Sequence, residues 1–433
     1  MRISPISWTR LGEAERSALL QRPAVSQTVE ISEGVATIIE EVRDRGDAAL
    51  RELTRKYDKA DLEHFRVGTR EIDASTKQLK QEQLDAIDLA IDNIRRFHEP
   101  QRPSDIVVET MPGITCERVT HPLDSVGLYV HAGTAPLPSA AIMLAVPASI
   151  AGCPVKILCT PPRPNGTADP AVLVAATRAG VDDIYKIGGA QAIAAMAYGT
   201  ESVPRVCKIF GPGNAWVTSA KLQVSLDPAG AAIDMPAGPS EVLVIADQEA
   251  SAEFVASDLL SQAEHGIDSQ VVLLTTSTDL AADVVVALEH QLTLLSRASI
   301  AAKSLENSRI IIVDDIDTAV AVSNRYAPEH LILQVNKPRE LLPALRNAGS
   351  IFVGPWSPES AGDYCSGTNH VLPTYGFAQT YSGLGVDQFM RHMTVQELSR
   401  QGLQRLGHAI TSLADLEGLD GHAAAVRCRL RAG

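Results

Sequence analysis

The chain has 433 residues, a formal net charge of −14, and 45% hydrophobic residues with only 4% aromatic. The length favours two or more domains, and the acidic balance, without a dense basic cluster, argues against nucleic acid and anionic membrane surfaces as partners. No signal-peptide pattern and no apolar stretch of membrane-spanning length is present, so a cytoplasmic location is expected.

The first hundred residues are expected to be helical, because apolar residues recur at helical spacing over residues 31–57 and 77–98. Alternation over residues 110–119 predicts a short strand or hairpin. From residue 126, strands and helices alternate at the repeat of parallel βαβ units. The predicted strands of this series are 126–130, 155–159, 184–187 and 206–210, and the predicted helices are 139–150, 171–179, 190–198 and 215–225.

A second series begins at residue 241. Its predicted strands are 241–246, 270–274, 309–313, 331–334 and 350–353, and its predicted helices are 253–264, 280–295, 318–326 and 340–347. Because Pro and Gly interrupt the pattern over residues 234–240, two doubly wound halves fit better than one large sheet. After about residue 385 the chain is expected to return to helix, and the helices at both termini are expected to pack against a partner subunit.

Two Gly-rich turns lie between predicted strands and helices of the first series. Residues 210–214 stand where backbone N–H groups can approach a phosphate. The full dinucleotide fingerprint is missing, because Trp216 takes the place of its third Gly and Pro212 lacks an N–H, so a plain tight turn stays an alternative. With the second turn, residues 188–191, this segment predicts a ligand crevice at the carboxyl ends of the strands.

Gln262 and His265 close a predicted helix and, three residues apart, share a face. An amide oxygen and an imidazole nitrogen can enter one metal shell, and Asp363 and His422 are further candidates for a site with N and O ligands. The alternative for His265 is pairing with the dipole at the helix C-terminus.

A polar run over residues 356–370 contains Asp363 and His370 and lies shortly after Glu329 and His330. Long polar loops in compact domains usually have a function, and these groups suggest proton transfer, metal binding or both. Glu329 and His330 stand at the start of a predicted strand, where neighbours point to opposite faces, so they could serve two successive steps.

The six cysteines are scattered without a Cys-x-x-Cys pair, which argues against a disulfide framework and a cysteine-built zinc site. A catalytic thiol, as in aldehyde-oxidising enzymes, stays an alternative for Cys153, Cys159 and Cys365. Histidines outside the groups above, His98 among them, are assigned to the solvated surface.

At these residues the chain closely resembles the histidinol dehydrogenase family, over essentially its whole length. The matching segments are 126–129, 188–193, 210–214, 234–241, 261–266, 328–331 and 356–374. The resemblance implies an α/β fold with two incomplete Rossmann-like, doubly wound domains and helical terminal segments in an intertwined homodimer. The expected parts are an N-terminal helical segment 1–23, a larger discontinuous α/β domain 24–127 with 241–384, a second Rossmann-like domain 128–240, and a helical dimerisation segment 385–433.

The resemblance also implies NAD-dependent, zinc-containing oxidation of L-histidinol to L-histidine through L-histidinal, the last step of histidine biosynthesis, using two NAD. One zinc ion per subunit is expected on Gln262, His265, Asp363 and His422, and the acid-base residues are expected to be Glu329 and His330. Tyr129, Gln191 and Asn214 are expected to contact NAD. Ser240, His370 and Glu417 are expected to contact the substrate together with His330 and the zinc ligands, with Glu417 and His422 reaching the partner's site.

The sequence departs from the family pattern at two places. After Tyr129 the family usually shows Pro-Gly-Gly, whereas this chain has His131-Ala132-Gly133, which removes backbone freedom and adds a titratable group. Ala327 stands where Gly is usual. Competing functions are oxidation of another polar alcohol on the same scaffold, a zinc hydrolase, and a non-catalytic nucleotide-binding module.

Overall fold

A computed structural model of the chain describes residues 3–22, 29–132, 136–235 and 238–432. The helices in these ranges are α1 (Glu13–Leu19), α2 (Val29–Arg45), α3 (Asp47–Tyr57), α4 (Thr69–Thr76), α5 (Gln81–His98), α6 (Pro138–Ala151), α7 (Pro170–Arg178), α8 (Gly189–Tyr198), α9 (Ala215–Leu226), α10 (Ala252–Ala263), α11 (Thr278–Leu292), α12 (Ala298–Glu306), α13 (Ile316–Tyr326), α14 (Glu359–Tyr364), α15 (Arg400–Leu416) and α16 (Asp420–Arg431). Short 3-10 helices cover Trp8–Arg10, Glu99–Gln101, Pro338–Ala344, Phe377–Gln379 and Val386–Phe389.

The strands in the same ranges are β1 (Ile6–Ser7), β2 (Ile106–Met111), β3 (Ile114–Pro122), β4 (Ser125–Tyr129), β5 (Val155–Thr160), β6 (Asp183–Lys186), β7 (Lys208–Phe210), β8 (Ala232–Ile233), β9 (Glu241–Ala246), β10 (Gln270–Thr275), β11 (Arg309–Ile312), β12 (His330–Gln334), β13 (Ser350–Val353) and β14 (Met390–Leu398). They form two parallel sheets and one antiparallel sheet. Among the helices described, none is both long and apolar enough to cross a membrane.

The first parallel sheet has five strands in the order β6-β5-β4-β7-β8. The chain enters at the central strand β4, adds strands on one side, and then adds strands on the other. Helices α5, α6 and α7 cover one face, and α2, α3, α8 and α9 cover the other. This layering explains why the strands are apolar runs, since both of their faces are buried.

The second parallel sheet has six strands in the order β1-β11-β10-β9-β12-β13. Every residue of β9, β10 and β12 is buried. Helices α10, α11 and α12 cover one face, and α13 covers the other. The prediction of a mixed α/β chain with two parallel series is therefore confirmed.

The expected N-terminal helical segment is wrong in part, because β1 pairs in parallel with β11 and extends the six-stranded sheet. Trp8 and Leu20 are buried against the same sheet as α13, so the described part of this segment packs on its own chain. Helices α2 to α5 pack on the five-stranded sheet, whereas the sequence grouped residues 24–127 with residues 241–384. The division into domains as a whole stays a prediction.

The C-terminal segment is also not entirely helical. Strand β14 pairs along its whole length with β3, giving an antiparallel sheet in the order β14-β3-β2. The predicted hairpin around residues 110–119 is confirmed as β2 and β3. The third strand was missed because its partner lies about 270 residues away, and a pairing so distant leaves no local sequence signal.

Three smaller predictions are wrong in whole or in part. The helix expected over residues 280–295 ends at Leu292, and α12 follows as a separate helix. The segment expected as helix 340–347 is a 3-10 helix that contains Pro343, which lacks the N–H that an α-helix needs. His98 is completely buried rather than at the surface, with Nδ1 2.8 Å from the Ile94 carbonyl oxygen.

Candidate active site

The acid-base candidates lie at the amino ends of strands in the six-stranded sheet. His330 is the first residue of β12 and is paired with Val242 of β9 and Ser350 of β13. The carboxyl end of α10 brings Gln262 to the same edge, where its Nε2 is 3.0 Å from His330 Nδ1. In doubly wound sheets ligands usually bind at the carboxyl ends of the strands, so this edge is the opposite of the general expectation.

The peptide groups of Glu241, the first residue of β9, hold three of the predicted site residues. The backbone N–H of Glu241 donates to Glu329 Oε2 at 2.9 Å. Its carbonyl oxygen accepts from Gln262 Nε2 at 3.2 Å and lies 3.2 Å from His330 Nδ1. A proton assigned to Nδ1 therefore has an acceptor, which leaves Nε2 of the neutral imidazole free to take a proton.

Glu329 and His330 do not point to opposite faces as expected. Glu329 Oε2 lies 3.6 Å from His330 Nδ1, and both side chains are buried. The strand begins at His330, so the alternation of a strand does not apply to the residue before it. The two groups can consequently act in one small site.

The polar run places a short helix, α14, beside His330. Asp363 Oδ1 is 3.5 Å from His330 Nε2, and atoms of His330, Glu359 and Asp363 that could ligate a metal all lie within 4.8 Å of one another. Glu359 was not predicted as a site residue. It is 1% exposed, and neither of its carboxylate oxygens has a hydrogen-bond partner among the described residues. The usable signal was its spacing of four from Asp363, which places both carboxylates on one helix face.

The carboxylates control the proton affinities in this cluster. Burial alone would lower the pKa of His330, but Glu359, Glu329 and Asp363 outweigh it and hold that pKa well above its usual value. Burial raises the pKa of Glu359 well above the usual range of a carboxyl. Burial would also raise the pKa of Asp363, yet three nearby imidazoles, those of His330, His370 and His265, hold it below its usual value.

The cluster gathers several buried oxygen donors, which fits a divalent cation. Arg22 pairs with Glu241, whereas Glu329, Glu359 and Asp363 lie around the imidazole of His330. His370 and His265 also act on Asp363. Oε1 of Gln262 is buried without a hydrogen-bond partner among the described residues, while its Nε2 contacts Glu241 and His330. Buried charges are normally paired or bound to metals, and these oxygen donors are compatible with zinc.

Two more predicted residues lie around this cluster. His370 is partly buried, its Nδ1 is 2.9 Å from the carbonyl oxygen of Asp363, and burial lowers its pKa. His265 is exposed, with Nδ1 3.0 Å from the Ser261 carbonyl oxygen, and its imidazole helps to lower the pKa of Asp363.

The proposed NAD contacts lie at the carboxyl edge of the five-stranded sheet. Tyr129 ends β4, and its hydroxyl accepts from the backbone N–H of Gly189 at 3.0 Å. Gly189 has φ +65°, and a Cβ there would stand 2.8 Å from Gln191 Oε1. Burial raises the pKa of Tyr129, so the phenol stays protonated. Tyr129 and Gln191 therefore both lie beside Gly189 in the turn 188–191.

The second Gly-rich turn approaches the same edge. Gly211 has φ +117°, and a Cβ there would be 2.2 Å from the Tyr129 carbonyl oxygen. Asn214 caps α9 by accepting from the backbone N–H groups of Trp216 and Val217, each at 3.1 Å. The three predicted NAD residues thus border one edge of one sheet, as expected of a crevice formed by both turns.

Comparison with known proteins decides the family. The family model described as histidinol dehydrogenase matches residues 20–430. Histidinol dehydrogenase of Vibrio parahaemolyticus is 56% identical over 425 residues, which are 98% of this chain and 98% of that protein. The chain belongs to the histidinol dehydrogenase family. A crystal structure of histidinol dehydrogenase from Elizabethkingia anophelis shares 46% identity and superposes with a TM-score of 0.94, covering 97% of this chain and 96% of the other.

Other relatives agree with this assignment. Histidinol dehydrogenase of Yersinia pestis is 51% identical over 427 residues, 99% of this chain and 96% of that protein. As a member of the histidinol dehydrogenase family the chain is an enzyme of the dehydrogenase class, which excludes the hydrolase and the non-catalytic module as its main activity.

The burial and the pKa shifts of the cysteines do not support a catalytic thiol in this member of the histidinol dehydrogenase family. Cys153 and Cys159 are buried, and burial raises the pKa of Cys153 to about 11 and that of Cys159 further. A nucleophilic thiol needs a lowered pKa and access to substrate. Cys365 contributes its backbone carbonyl to Asn93 at 2.9 Å, which requires no reactive sulfur.

Three predicted substrate or metal residues are not brought into the cluster by the described contacts. Glu417 and His422 are exposed, on the turn between α15 and α16 and on α16 itself. The described packing of these helices runs to each other and to the antiparallel sheet. Ser240 precedes β9, and its carbonyl oxygen accepts from the Gln270 backbone N–H at 3.3 Å.

The two departures from the family pattern have different structural consequences. His131 is partly buried, burial lowers its pKa, and its Nδ1 has no hydrogen-bond partner among the described residues. Gly133 lies outside the described residues. Ala327 ends α13 in the left-handed conformation with φ +52°, a position that suits glycine better than a residue with a Cβ.

Proposed function

We propose that the chain is a zinc-containing, NAD-dependent histidinol dehydrogenase that oxidises L-histidinol to L-histidine through L-histidinal, the last step of histidine biosynthesis. The buried cluster of Glu329, His330 and Asp363 beside Gln262, in a member of this family, is the observation that carries the proposal. A cluster of this kind combines a base, a second carboxylate and a cation site.

Zinc would be held by Gln262, His265 and Asp363 together with His422 of the partner subunit, and when bound it would orient the substrate and polarise its oxygen. Two observations support this choice of residues: Oε1 of Gln262 is buried without a hydrogen-bond partner among the described residues, and Asp363 belongs to a group that could hold a metal ion. His370 and Ser240, with Glu417 of the partner subunit, would complete the contacts to the substrate.

The first oxidation requires removal of the hydroxyl proton as a hydride leaves the same carbon, and NAD accepts that hydride. His330 Nε2 is the proposed base, because the Glu241 carbonyl oxygen can hold the proton on Nδ1. The carboxylates of Glu329 and Asp363 lie 3.6 and 3.5 Å from the ring nitrogens of His330 and stabilise the imidazolium that forms when the alcohol proton is taken. They thereby lower the free energy of the state in which the alcohol has lost its proton.

The second oxidation requires water to add to the aldehyde before another hydride leaves. Glu329 is the proposed group that activates this water. Its Oε2 is held by the Glu241 backbone N–H at 2.9 Å and lies 3.6 Å from His330 Nδ1, which leaves Oε1 for a further contact. Over both steps one water is consumed, two hydrides reach two NAD molecules, and three protons are released with the carboxylate product.

NAD would bind against Tyr129, Gln191 and Asn214. Both Gly-rich turns follow strands of the five-stranded sheet, whose order reverses at β4, and this supports a Rossmann-like character for each parallel sheet. In this arrangement the turns 188–191 and 210–214 present backbone to the dinucleotide.

A homodimer is proposed, with Glu417 and His422 acting on the partner's site. Exposed apolar side chains on the antiparallel sheet and on the C-terminal helices support it, since contiguous exposed apolar surface marks interaction sites. They are Ile106, Val107, Val108, Met111, Met393, Val395, Leu398, Leu413, Leu416 and Leu419.

The test is the absorbance of NADH with L-histidinol, NAD and zinc. Two NADH per histidinol are expected. No absorbance change would refute the proposed function, one NADH with free aldehyde would refute the four-electron mechanism, and faster turnover of another polar alcohol would favour the related dehydrogenase.

Sharing of the site between subunits is tested by mixing a His422→Ala subunit with a His265→Ala subunit. Random exchange should restore about a quarter of the sites by pairing statistics on a two-fold dimer. Verified exchange without any recovery would show that one chain supplies all ligands.

A further inference from the structure

Arg22 and Glu241 form a buried ion pair behind the acid-base residues. Arg22 Nε is 2.5 Å from Glu241 Oε2, and Arg22 Nη2 is 3.1 Å from Glu241 Oε1. The Glu241 side chain is 2% exposed and the Arg22 side chain 14%. Tyr326 adds a donor, with its hydroxyl 2.9 Å from Glu241 Oε2, and the guanidinium lies 3.9 Å from the Tyr326 ring centroid. The carboxylate of Glu241 is therefore fixed from two directions.

The same arginine holds the chain that leads into Glu329 and His330. Arg22 Nη2 donates to the carbonyl oxygens of Tyr326 at 2.7 Å and of Ala327 at 3.3 Å. These carbonyls end α13 and would otherwise lack an intrahelical donor. Ala327 is in the left-handed conformation, so this turn needs support from its surroundings.

Both segments that Arg22 holds reach the proposed catalytic groups through their backbone. Glu241 contacts Glu329 with its N–H, and His330 and Gln262 with its carbonyl oxygen. Removal of the guanidinium would leave the Glu241 carboxylate buried, uncompensated and repelled by Glu329. Relief of that repulsion would shift the peptide that sets Glu329 and His330.

We propose that Arg22 is a positioning residue for the acid-base pair, acting through Glu241 and the carboxyl end of α13. The proposal rests on the proposed function, because it concerns the rate at which His330 and Glu329 act. It predicts a loss in kcat at full zinc loading rather than in NAD binding, since Arg22 has no described contact with the five-stranded sheet.

The test compares Arg22→Met with Arg325→Met in the zinc-loaded enzyme. Arg325 also links the N-terminal segment to α13, with Nη1 2.7 Å from Glu13 Oε1 and Nη2 2.6 Å from Ser17 Oγ, but it is exposed and does not contact Glu241. It is therefore a matched control for docking of that segment. The measurements are kcat, the KM for NAD, zinc content and Tm.

Arg22→Met should lower kcat about 10- to 100-fold, the scale expected for a displacement of catalytic groups by a fraction of an ångström to one ångström. The KM for NAD should stay within about twofold. The kcat is compared per zinc ion bound, because Gln262, a proposed zinc ligand, also donates to the Glu241 carbonyl oxygen. Arg325→Met should keep kcat within about twofold of the parent's whatever its Tm, because the site is untouched. The kcat of Arg22→Lys should lie between those of Arg22→Met and the parent, since an ammonium group can pair with Glu241 but lacks the forked geometry of a guanidinium.

A kcat of Arg22→Met within about twofold of the parent's, or an equal loss in Arg325→Met, would overturn the proposal. If Arg22→Met does not fold, Arg22→Lys and Tyr326→Phe decide the question, because the latter removes only the hydroxyl bonded to Glu241. Unchanged kcat in both would overturn the proposal. A parent enzyme that does not oxidise histidinol would instead refute the proposed function.

Discussion

The buried pair of Lys221 and Asp234 provides a quantitative test of the proposed NAD turn. Lys221 Nζ contacts an Asp234 carboxylate oxygen and donates to the Gly211 carbonyl oxygen at 2.8 Å, and Asp234 Oδ2 accepts from the Gly211 backbone N–H at 2.8 Å. The side chains are 5% and 1% exposed. Both polar atoms of the Gly211 peptide are thus held by one ion pair.

Removal of either partner should be costly, and removal of both should cost less. Lys221→Met or Asp234→Asn leaves one buried group without its partner, which lowers the free energy of unfolding by about 3–5 kcal/mol. The double variant contains no unpaired charge. Its loss should be about 1–3 kcal/mol, the cost of an unpaired carbonyl at Gly211, so the double variant should be more stable than either single variant.

NAD affinity should behave differently from stability. All three variants loosen the Gly211 peptide, so the Kd for NAD should rise in each, including the double variant whose stability is largely recovered. Urea unfolding measures the first quantity, and calorimetric titration of NAD measures the second, with zinc content as the control. A double variant no more stable than the single variants would refute the ion-pair reasoning, and parent-like NAD affinity in all three would refute the role of the turn.

Three further predictions concern single groups. His330→Asn should reduce histidinol-dependent NADH formation by at least about a hundredfold while zinc stays bound; a parent-like rate would exclude His330 as the base. Glu359→Gln should slow turnover. It should also raise the Tm of the metal-free protein at pH values above about 4.5, because the raised pKa of Glu359 means that its ionised form opposes folding. The absence of any gain in Tm at pH 8 would contradict this reasoning. Burial raises the pKa of Asp58 from 3.8 to about 6, so ionisation of this carboxyl lowers the free energy of unfolding as the pH rises from about 4 to 6. Asp58→Asn should therefore add up to about 3 kcal/mol to the free energy of unfolding at pH 8 and nothing below pH 4. Urea titrations at several pH values measure this difference.

Periodicity was sufficient for most elements of the two parallel sheets, because buried strands and amphipathic helices leave local signals of different period. It failed where the partner is remote or a proline intervenes. Strand β14 needs β3 as its partner, and Pro343 prevents an α-helix in an otherwise suitable stretch. His98 shows the same limit, since its burial depends on packing that its neighbours in sequence do not specify.

The residues of the candidate site were predicted mainly from the family resemblance. The hydrogen bonds and ion pairs that connect them were not predicted. The spacing of Gln262 and His265 indicated a shared helix face. No local pattern linked Gln262 to Glu241, which contacts the site through its backbone atoms. Arg22 contacts Glu241 across 219 positions. Glu359 was overlooked because the polar run was treated as a loop, and its spacing from Asp363 is informative only on a helix.

The connection between the two sheets links the acid-base cluster, at the amino ends of strands, to the proposed NAD turn. The chain leaves the five-stranded sheet at the carboxyl end of β8 and enters the six-stranded sheet at the amino end of β9 after residues 234–240. Asp234, at the start of this connection, holds the Gly211 turn, and Glu241, just beyond it, holds Glu329 and His330. A stretch of about seven residues spans at most on the order of 25 Å when fully extended. The carboxyl end of β8 and the amino end of β9 therefore lie within that distance of each other, and hydride transfer requires NAD and the substrate to meet in the space between the two edges.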